Sequence, residues 1–211
     1  MKYKIYIFLV FILFFCYKSV HPIEYLPQSF YLDEEISVNY DELYEVGVKI
    51  EYYTSDKAID EIDRLNRRLL KDYKMVCLNS SENSLEFSNG NRSIYVFGYD
   101  KEKESKIEIE VISRNKEKLC DLMEVLTHLQ NNNKNKARYF QYIKGKINNV
   151  ESTIKSIKNN TRLENIEILD IYNGYVGTAE YNKYNKISFA INNYDTGCYL
   201  IIGTPAIFTT Y

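Results

Sequence analysis

The stretch YEVGVKIEYYTSDKAIDEIDRLNRRLLKDY, residues 44–73, decides the fold class. Apolar and polar side chains alternate from Tyr44 to Tyr52, and this period of two predicts a half-buried β-strand. After Ser55, the expected N-cap, apolar residues recur at helical spacing and predict a helix with one buried face. Those apolar positions are Ala58, Ile59, Ile62, Leu65, Leu69 and Tyr73. The folded part of the chain is therefore predicted to begin with a strand and an amphipathic helix, as expected of an α+β protein.

The same order of elements is predicted twice along the chain. Asn89-Gly90 and Asn173-Gly174 each lie between two strand patterns and mark hairpin turns. The further predicted strands are 75–78, 85–87, 94–99, 107–111, 139–147, 166–172, 175–181, 187–191 and 198–202, and the further helices are 115–130 and a segment containing Val150, Ile154 and Ile157. A β-α-β-β-β-β unit that recurs after roughly 95 residues indicates an internal duplication, about 41–133 and 137–211.

The alternation also predicts how the sheet is covered. Two such units form one continuous, curved antiparallel sheet with the helices on one side, and the other side faces solvent. We call this open sheet face, opposite the helices, the far face. The polar strand positions expected on it are Lys49, Glu51, Lys106, Glu108, Glu110, Lys144 and Lys146. Both charge signs are therefore interspersed on the far face.

Residues 1–19 are typical of an export signal. Lys2 and Lys4 precede the apolar run Ile5–Tyr17, which is too short as a helix to cross a ~30 Å hydrocarbon core. The segment is expected to be a cleaved signal peptide or an uncleaved membrane anchor, because no convincing cleavage site follows it. Residues 20–40 are then expected to be a linker, and residues 41–211 the folded domain.

Composition limits the function classes. The 211 residues are 45% hydrophobic and 27% charged, with two histidines and four cysteines, so a disulfide scaffold and a His-rich metal site are excluded. Without residues 1–19 the basic residues fall from 27 to 24 against 29 acidic ones, which leaves a net charge near −5. This balance disfavours nucleic acid and anionic membranes as partners. Cys77, Cys120 and Cys198 are expected to be small buried apolar residues, although one disulfide is possible.

A family resemblance follows from this element order and from the last nine residues. The chain ends in Gly203-Thr204-Pro205-Ala206-Ile207-Phe208-Thr209-Thr210-Tyr211, a Gly-Thr-Pro-x-Ile-x-x-x-Tyr pattern. The region from about Asp41 to Tyr211 resembles the YwmB family of Gram-positive bacteria, exported proteins with a TATA-box-binding-protein-like fold. The resemblance implies that fold and an envelope location, and it implies no catalytic residues.

Four sequence patterns could carry chemistry, and a catalytic or metal-binding role is not favoured for any of them. They are the acidic and imidazole side chains Asp121, Glu124 and His128 on one helix face, a Cys–His dyad of His128 with Cys77 or Cys198, the Gly-x-x-Gly at Gly174–Gly177, and the carboxylates Glu108 and Glu110. A solvated helix face explains the first and a hairpin turn the third. No catalytic, metal or cofactor site is therefore expected.

Tyrosines are the remaining candidates, because Tyr combines apolar area with a hydroxyl group and is enriched at interfaces. Those placed on strands and hairpins are Tyr52, Tyr95, Tyr99, Tyr139, Tyr142, Tyr172, Tyr175, Tyr181, Tyr184 and Tyr199. The sequence predicts a non-enzymatic envelope protein that binds a protein or a wall polymer through the far face or its hairpins. The alternatives are a wall hydrolase that uses surface carboxylates and, less favoured, a nucleic-acid binder.

Overall fold

The computed structural model describes residues 31–32, 40–181 and 185–209. These residues form an α+β fold with one open ten-stranded antiparallel sheet and three helices. The strands are β1 (Glu42–Thr54), β2 (Val76–Ser80), β3 (Ser84–Ser88), β4 (Arg92–Asp100), β5 (Ser105–Ser113), β6 (Asn135–Ile147), β7 (Leu163–Ile171), β8 (Gly174–Tyr181), β9 (Asn185–Tyr194) and β10 (Gly197–Thr204). The helices are α1 (Ala58–Asp72), α2 (Leu119–Leu129) and α3 (Val150–Lys158).

The two longest strands, β1 and β6, pair at the centre of the sheet. The strand order is β2-β3-β4-β5-β1-β6-β10-β9-β8-β7, so β2 and β7 are the edges. In the central pair Val48 lies opposite Gln141 and Ile50 opposite Tyr139. The predicted alternation of β1 is confirmed, because Val48 and Ile50 are buried while Lys49 between them faces the other side.

The helices cover the sheet unequally. Helix α1 packs on β3, β4 and β5, helix α2 packs on β1 and β5, and the short α3 packs on β7. In the described residues no helix follows β10. Two helices therefore pack on β1 and β3–β5, whereas α3 packs on β7 at the other end of the sheet.

The start of α1 differs from the prediction. The N-cap is Lys57, whose side chain makes no cap hydrogen bond, and Ser55 plays no such part. Instead the N–H of Ala58 donates to Asp100 Oδ1 at 2.8 Å, from the last residue of β4. Ile59, expected on the buried face, is 45% exposed. The helix end is capped by a residue 42 positions away, which helical spacing alone does not reveal.

The described residues ahead of β1 pack into the core. Leu32 is fully buried, and its N–H donates to the side-chain oxygen Oε1 of Gln141 at 3.2 Å. The ring of Tyr40 lies against Gly145, so closely that a Cβ there would be 2.1 Å from a ring carbon. Packed structure therefore begins before residue 41, where the sequence predicts the domain boundary. The predicted signal or anchor, residues 1–19, lies outside the described residues.

None of the three described cysteines is as buried as the sequence predicts, and Cys77 departs from the prediction most. Cys77 is exposed, because β2 is an edge strand with no helix over it, whereas Cys120 and Cys198 are half-buried. No two of the three form a disulfide with each other. Among residues 31–32, 40–181 and 185–209, no helix is long and apolar enough to cross a membrane.

We expect the substitution Gly174→Ala to lower the free energy of unfolding by about 2–4 kcal/mol. Gly174 has φ +155°, and a Cβ there would lie 1.8 Å from the carbonyl oxygen of Ile191, a backbone atom that cannot move aside. Urea unfolding of the full chain measures the effect. Gly90→Ala is the matched control, because its φ is +87° but no atom lies within 4 Å of the added carbon. That variant should lose only about 1 kcal/mol, and equal losses would contradict the steric explanation.

Candidate functional site

Lys49 lies at the centre of the far face among three carboxylates. Its Nζ is 2.6 Å from Glu108 Oε2, 3.3 Å from Glu110 Oε1 and 3.3 Å from Glu51 Oε1. Strand pairing places these residues together, because Lys49 is opposite Glu110 and Glu51 is opposite Glu108 in the β1–β5 register. Four of the seven predicted polar positions thus meet at one point.

Two further cations complete what we call the charge cluster: Lys49, Glu51, Lys106, Glu108, Glu110 and Arg138. Lys106 Nζ lies 2.6 Å from Glu108 Oε1 and 3.2 Å from Glu51 Oε2, and Arg138 donates to Glu51. Three cations and three carboxyl groups therefore alternate in mutual contact. Except for Arg138, their side chains are at most 20% exposed. The cluster is more buried than a solvated sheet face would be.

Burial and pairing move the pKa values of the three carboxyl groups in opposite directions. Burial alone would raise the pKa of Glu51, but the hydrogen bond from Arg138 and the charge of Lys49 outweigh it, so the pKa is lowered. At Glu108 burial is likewise outweighed by the hydrogen bonds from Lys106 and Lys49, and its pKa is lowered. Glu110 has only Lys49 to offset burial, and its pKa is raised.

Aromatic rings surround the charge cluster. Lys49 Nζ lies 6.0 Å from the ring centroids of Phe140 and Phe208, and Lys106 Nζ lies 5.8 Å from that of Tyr99. These distances fit cation–π attraction. Tyr99 and Phe97 on β4 are 42% and 45% exposed, which leaves two large rings open beside charges that are already paired.

The far face is not open at its centre, which corrects the prediction there. Residues 205–209, which we call the terminal segment, fold back over β6. The Phe208 ring makes edge contacts with Tyr142 at 4.9 Å and with Phe140 at 6.2 Å between centroids. Tyr142 is fully buried as a result and donates its hydroxyl to Glu45 Oε1 at 2.7 Å.

The Gly-Thr-Pro pattern directs the terminal segment onto the sheet. Thr204 is buried and its hydroxyl donates to the carbonyl oxygen of Lys186 at 2.8 Å. Ser188 donates to the carbonyl oxygen of Pro205 at 3.3 Å. A Cβ on Gly203 would lie 3.0 Å from Ala206 and Ile207, so glycine lets the chain return this closely. The pattern thus has a structural role.

The other residues that could carry chemistry do not assemble into a site. Asp121, Glu124 and His128 are exposed on α2, and within the described part of the chain no three His, Cys, Asp or Glu side chains are placed to hold a metal ion. Cys77 and Cys198 have hydrogen-bond partners other than His128, namely the carbonyl oxygen of Asn79 and the side chain of Asn193. Gly174 opens β8 after a hairpin turn, as predicted.

A polar cavity of about 370 Å³ lies at the end of α2, lined in part by Arg64, Arg68 and His128. It is a weak candidate for an anion site, because Arg64 is already engaged. Its guanidinium donates to both carboxylate oxygens of Glu61 and, at 2.6 Å, to the carbonyl oxygen of Leu129. Buried Glu61 also accepts from the Tyr52 hydroxyl, so this group ties α1 to β1 and α2.

The predicted tyrosines serve several purposes. Tyr52, Tyr142 and Tyr181 are buried, whereas Tyr99 and Tyr172 are exposed. The other predicted tyrosines that the structure describes are partly exposed: Tyr95, Tyr139, Tyr175 and Tyr199. Tyr184 lies outside the described residues. Among the predicted tyrosines that the structure describes, only Tyr99 has its ring over a cation of the charge cluster. The abundance of tyrosine as such therefore does not mark the site.

Sequence reasoning missed Arg138, Phe140 and Phe208. The alternation that places Lys144 and Lys146 on the far face places Arg138 and Phe140 there too. The sequence therefore did contain the signal for these two residues. Lys144 lies over the rings of Tyr44 and Tyr199 rather than in the charge cluster. Phe208 follows the last strand, and no periodicity indicates where it packs.

Comparisons with known proteins add little. No family model matches the chain, and neither does any curated protein. One matching solved structure is that of DynU16, a protein in the dynemicin biosynthetic locus. The match is 8% identical, covers 76% of this chain and 86% of that chain, and has a TM-score of 0.24. That score is too low to transfer anything from DynU16, and the YwmB resemblance stays a prediction.

Proposed function

We propose that this chain is an exported, non-enzymatic protein of the cell envelope that binds a protein or wall-polymer partner through the far face. The observation that carries the proposal is that exposed aromatic rings lie beside charges that are already paired with one another. Phe97 and Tyr99 offer large apolar surface, while the neighbouring charge cluster is neutralised internally. Partly exposed aromatic anchors of this kind supply much of the energy at recognition surfaces.

The wider assignment rests on the sequence and on the order of the strands. The element order β-α-β-β-β-β occurs at Glu42–Ser113 and again at Asn135–Thr204, and the two sets of strands flank the central β1–β6 pair in mirrored order. This supports a duplicated, TATA-box-binding-protein-like unit of the YwmB type. Export, with Ile5–Tyr17 as signal or tether, rests on residues 1–19 alone.

A wall hydrolase is the second candidate, because one observation favours it. The pKa of Glu110 is raised while that of Glu108 is lowered, and paired carboxyl groups with opposite shifts are typical of acid–base catalysts. Against it, Lys49 contacts both carboxyl groups and so occupies the space where a substrate would need to reach them. A wall zymogram cleared by the wild type and not by Glu110→Gln would establish the hydrolase.

Nucleic-acid binding is third, and retention on a DNA column at about 50 mM salt would revive it. The lysines of the charge cluster argue against it, since Lys49 and Lys106 are each bound by at least two glutamates. They are not available to phosphate groups without breaking those pairs.

We expect the double substitution Phe97→Ala and Tyr99→Ala to weaken retention of an envelope partner by at least about tenfold, or ~1.4 kcal/mol. The immobilised full chain is incubated with envelope extract, and whichever protein or polymer the wild type retains is quantified for each variant. Ile59→Ala with Leu70→Ala is the matched control, since these residues are 45% and 50% exposed on α1, on the other side of the sheet. Equal retention by wild type and by the far-face variant would overturn the proposal.

A further inference from the structure

We propose that β2, one edge of the sheet, pairs with the β2 strand of a second copy of this chain, so that two sheets join into one across a twofold axis. This pairing is separate from the binding of a partner by the far face. In the described part of the chain β2 (Val76–Ser80) pairs with β3 on one side and with no strand on the other. Its outer row of backbone N–H and C=O groups is a template for pairing with another strand.

Strand β2 also presents apolar side chains to solvent. All five of its residues are exposed. Val76 and Leu78 are 63% and 59% exposed, the largest fractions among the described valine, leucine and isoleucine side chains, and the Cys77 thiol between them is exposed too. The strand contains no charged residue and no proline, which are common means of keeping a sheet edge unpaired. Its composition therefore favours association.

The opposite edge of the sheet, β7, is protected against pairing. Its exposed residues are Glu164, Asn165, Glu167, Leu169 and Asp170, of which three are acidic and one is apolar. Both edges contain a bulge, so the charges are what distinguishes them. Because only one edge of each chain is neutral and apolar, association through it closes at two copies instead of continuing from β2 to β7 along a row.

The charges at the two ends of β2 complement those of a second copy. Lys74 precedes the strand and Glu82 follows it, both are exposed, and neither makes an ion pair within the described residues. In an antiparallel pair centred on Leu78, Lys74 of each copy lies opposite Glu82 of the second copy. A parallel pair would bring like charges together. The edge therefore fits a second copy in charge as well as in backbone hydrogen bonding.

The pairing has a consequence for the far face. A twofold axis that relates antiparallel edge strands is perpendicular to the sheet, so the far faces of both copies lie on the same side. Strand β4 is separated from β2 by one strand, so the two β4 strands of the dimer are five strand spacings apart, or about 24 Å. The dimer thus offers the Phe97 and Tyr99 rings twice on one surface, and a partner with repeated binding groups would be held at both places.

Sedimentation velocity of the full chain over about 1–200 µM tests the pairing. A contact of five residues a side is smaller than the roughly 20–30 a side of a standard interface, so we expect a reversible dimer with a Kd on the order of 10–100 µM. Leu78→Lys places two ammonium groups against each other at the axis and should raise this Kd at least about tenfold. Leu169→Lys, the same change at the exposed leucine of β7, is the matched control and should leave it unchanged.

A charge-swapped mixture separates pairing from a general effect on folding. Leu78→Glu alone should be monomeric, whereas an equimolar mixture of Leu78→Lys and Leu78→Glu should recover the dimer, because opposite charges then meet at the axis. Thermal melting verifies that each variant is folded, which is expected because Leu78 is exposed.

Four results would overturn the proposal. They are a wild type that stays monomeric throughout, a dimer that persists in Leu78→Lys, as expected if the apolar run Ile5–Tyr17 held the copies together, oligomers beyond the dimer that Leu169→Lys also removes, and a charge-swapped mixture that stays monomeric. None of these results bears on whether Phe97 and Tyr99 retain an envelope partner.

Discussion

Replacing Lys49 with methionine is expected to lower the free energy of unfolding at pH 7 by about 2–4 kcal/mol. Lys49 is the shared partner of Glu51, Glu108 and Glu110, whose side chains are at most 20% exposed. Methionine keeps the apolar stem but removes the charge, and partly buried carboxylates left without their cation are strongly destabilising. Lys106 still contacts Glu51 and Glu108, and Arg138 still contacts Glu51. The loss of electrostatic stabilisation should therefore be greatest at Glu110.

The loss should depend on pH in a defined direction. In the wild type the pKa values of Glu51 and Glu108 are lowered by folding, so their stabilising contribution is present above their unfolded pKa and is lost as the pH falls through the folded one. Glu110 has a raised pKa and works in the opposite sense, because its contribution is lost as the pH rises through the folded value. Without Lys49 all three pKa values move upward. The deficit of the variant should therefore be largest near pH 7 and shrink towards pH 4.

Urea unfolding of both proteins between pH 4 and pH 7 measures this. Lys136→Met is the matched control, because Lys136 is 70% exposed and pairs with Glu104 at 3.2 Å. An exposed pair of this kind contributes less than about 1 kcal/mol. If Lys49→Met were no less stable than Lys136→Met, or if its deficit did not vary with pH, the charge cluster would not be coupled as described.

Leu32→Ala is expected to lower the free energy of unfolding by about 3 kcal/mol, although the residue lies ten positions before the first strand. Leu32 is fully buried, and its backbone is anchored at Gln141 in the central strand β6. Truncating a buried leucine removes apolar contacts and leaves a cavity that the surroundings fill only partly. The sequence interpretation of residues 20–40 as a linker predicts no effect.

Leu70→Ala makes the same chemical change at a leucine that is 50% exposed on α1, and it should alter stability by only about 0.5 kcal/mol. Both variants are compared with the wild type by urea unfolding of the full chain. A Leu32→Ala protein as stable as Leu70→Ala would mean that the residues ahead of β1 contribute nothing to the fold in solution.

The placement of the strands and most of the charge cluster could be predicted. Lys49, Glu51, Lys106, Glu108 and Glu110 follow the period of two in β1 and β5, and the antiparallel register then brings them together. Alternation is a local property of the backbone, so it is readable from neighbouring residues. Helix positions followed in the same way from apolar spacing, with errors only at their ends and at Ile59.

What covers the sheet could not be predicted. The cap of α1 comes from Asp100, the cover over β6 from Leu32, and the cover over the far face from Phe208. Each lies far along the chain from the group it contacts, and none belongs to a periodic pattern. Their places depend on which surfaces the assembled sheet leaves uncovered.

The amino-acid sequence by itself determined the elements, their order and the side of the sheet on which each strand residue lies, because these depend on repeats of two and of 3.6 residues. Only the tertiary structure decided that the charges are paired and half-buried, that the terminal segment occupies the centre of the far face, and that packing begins at the residues ahead of β1. Those features arise from contacts between distant parts of the chain, which exist only after the sheet has formed.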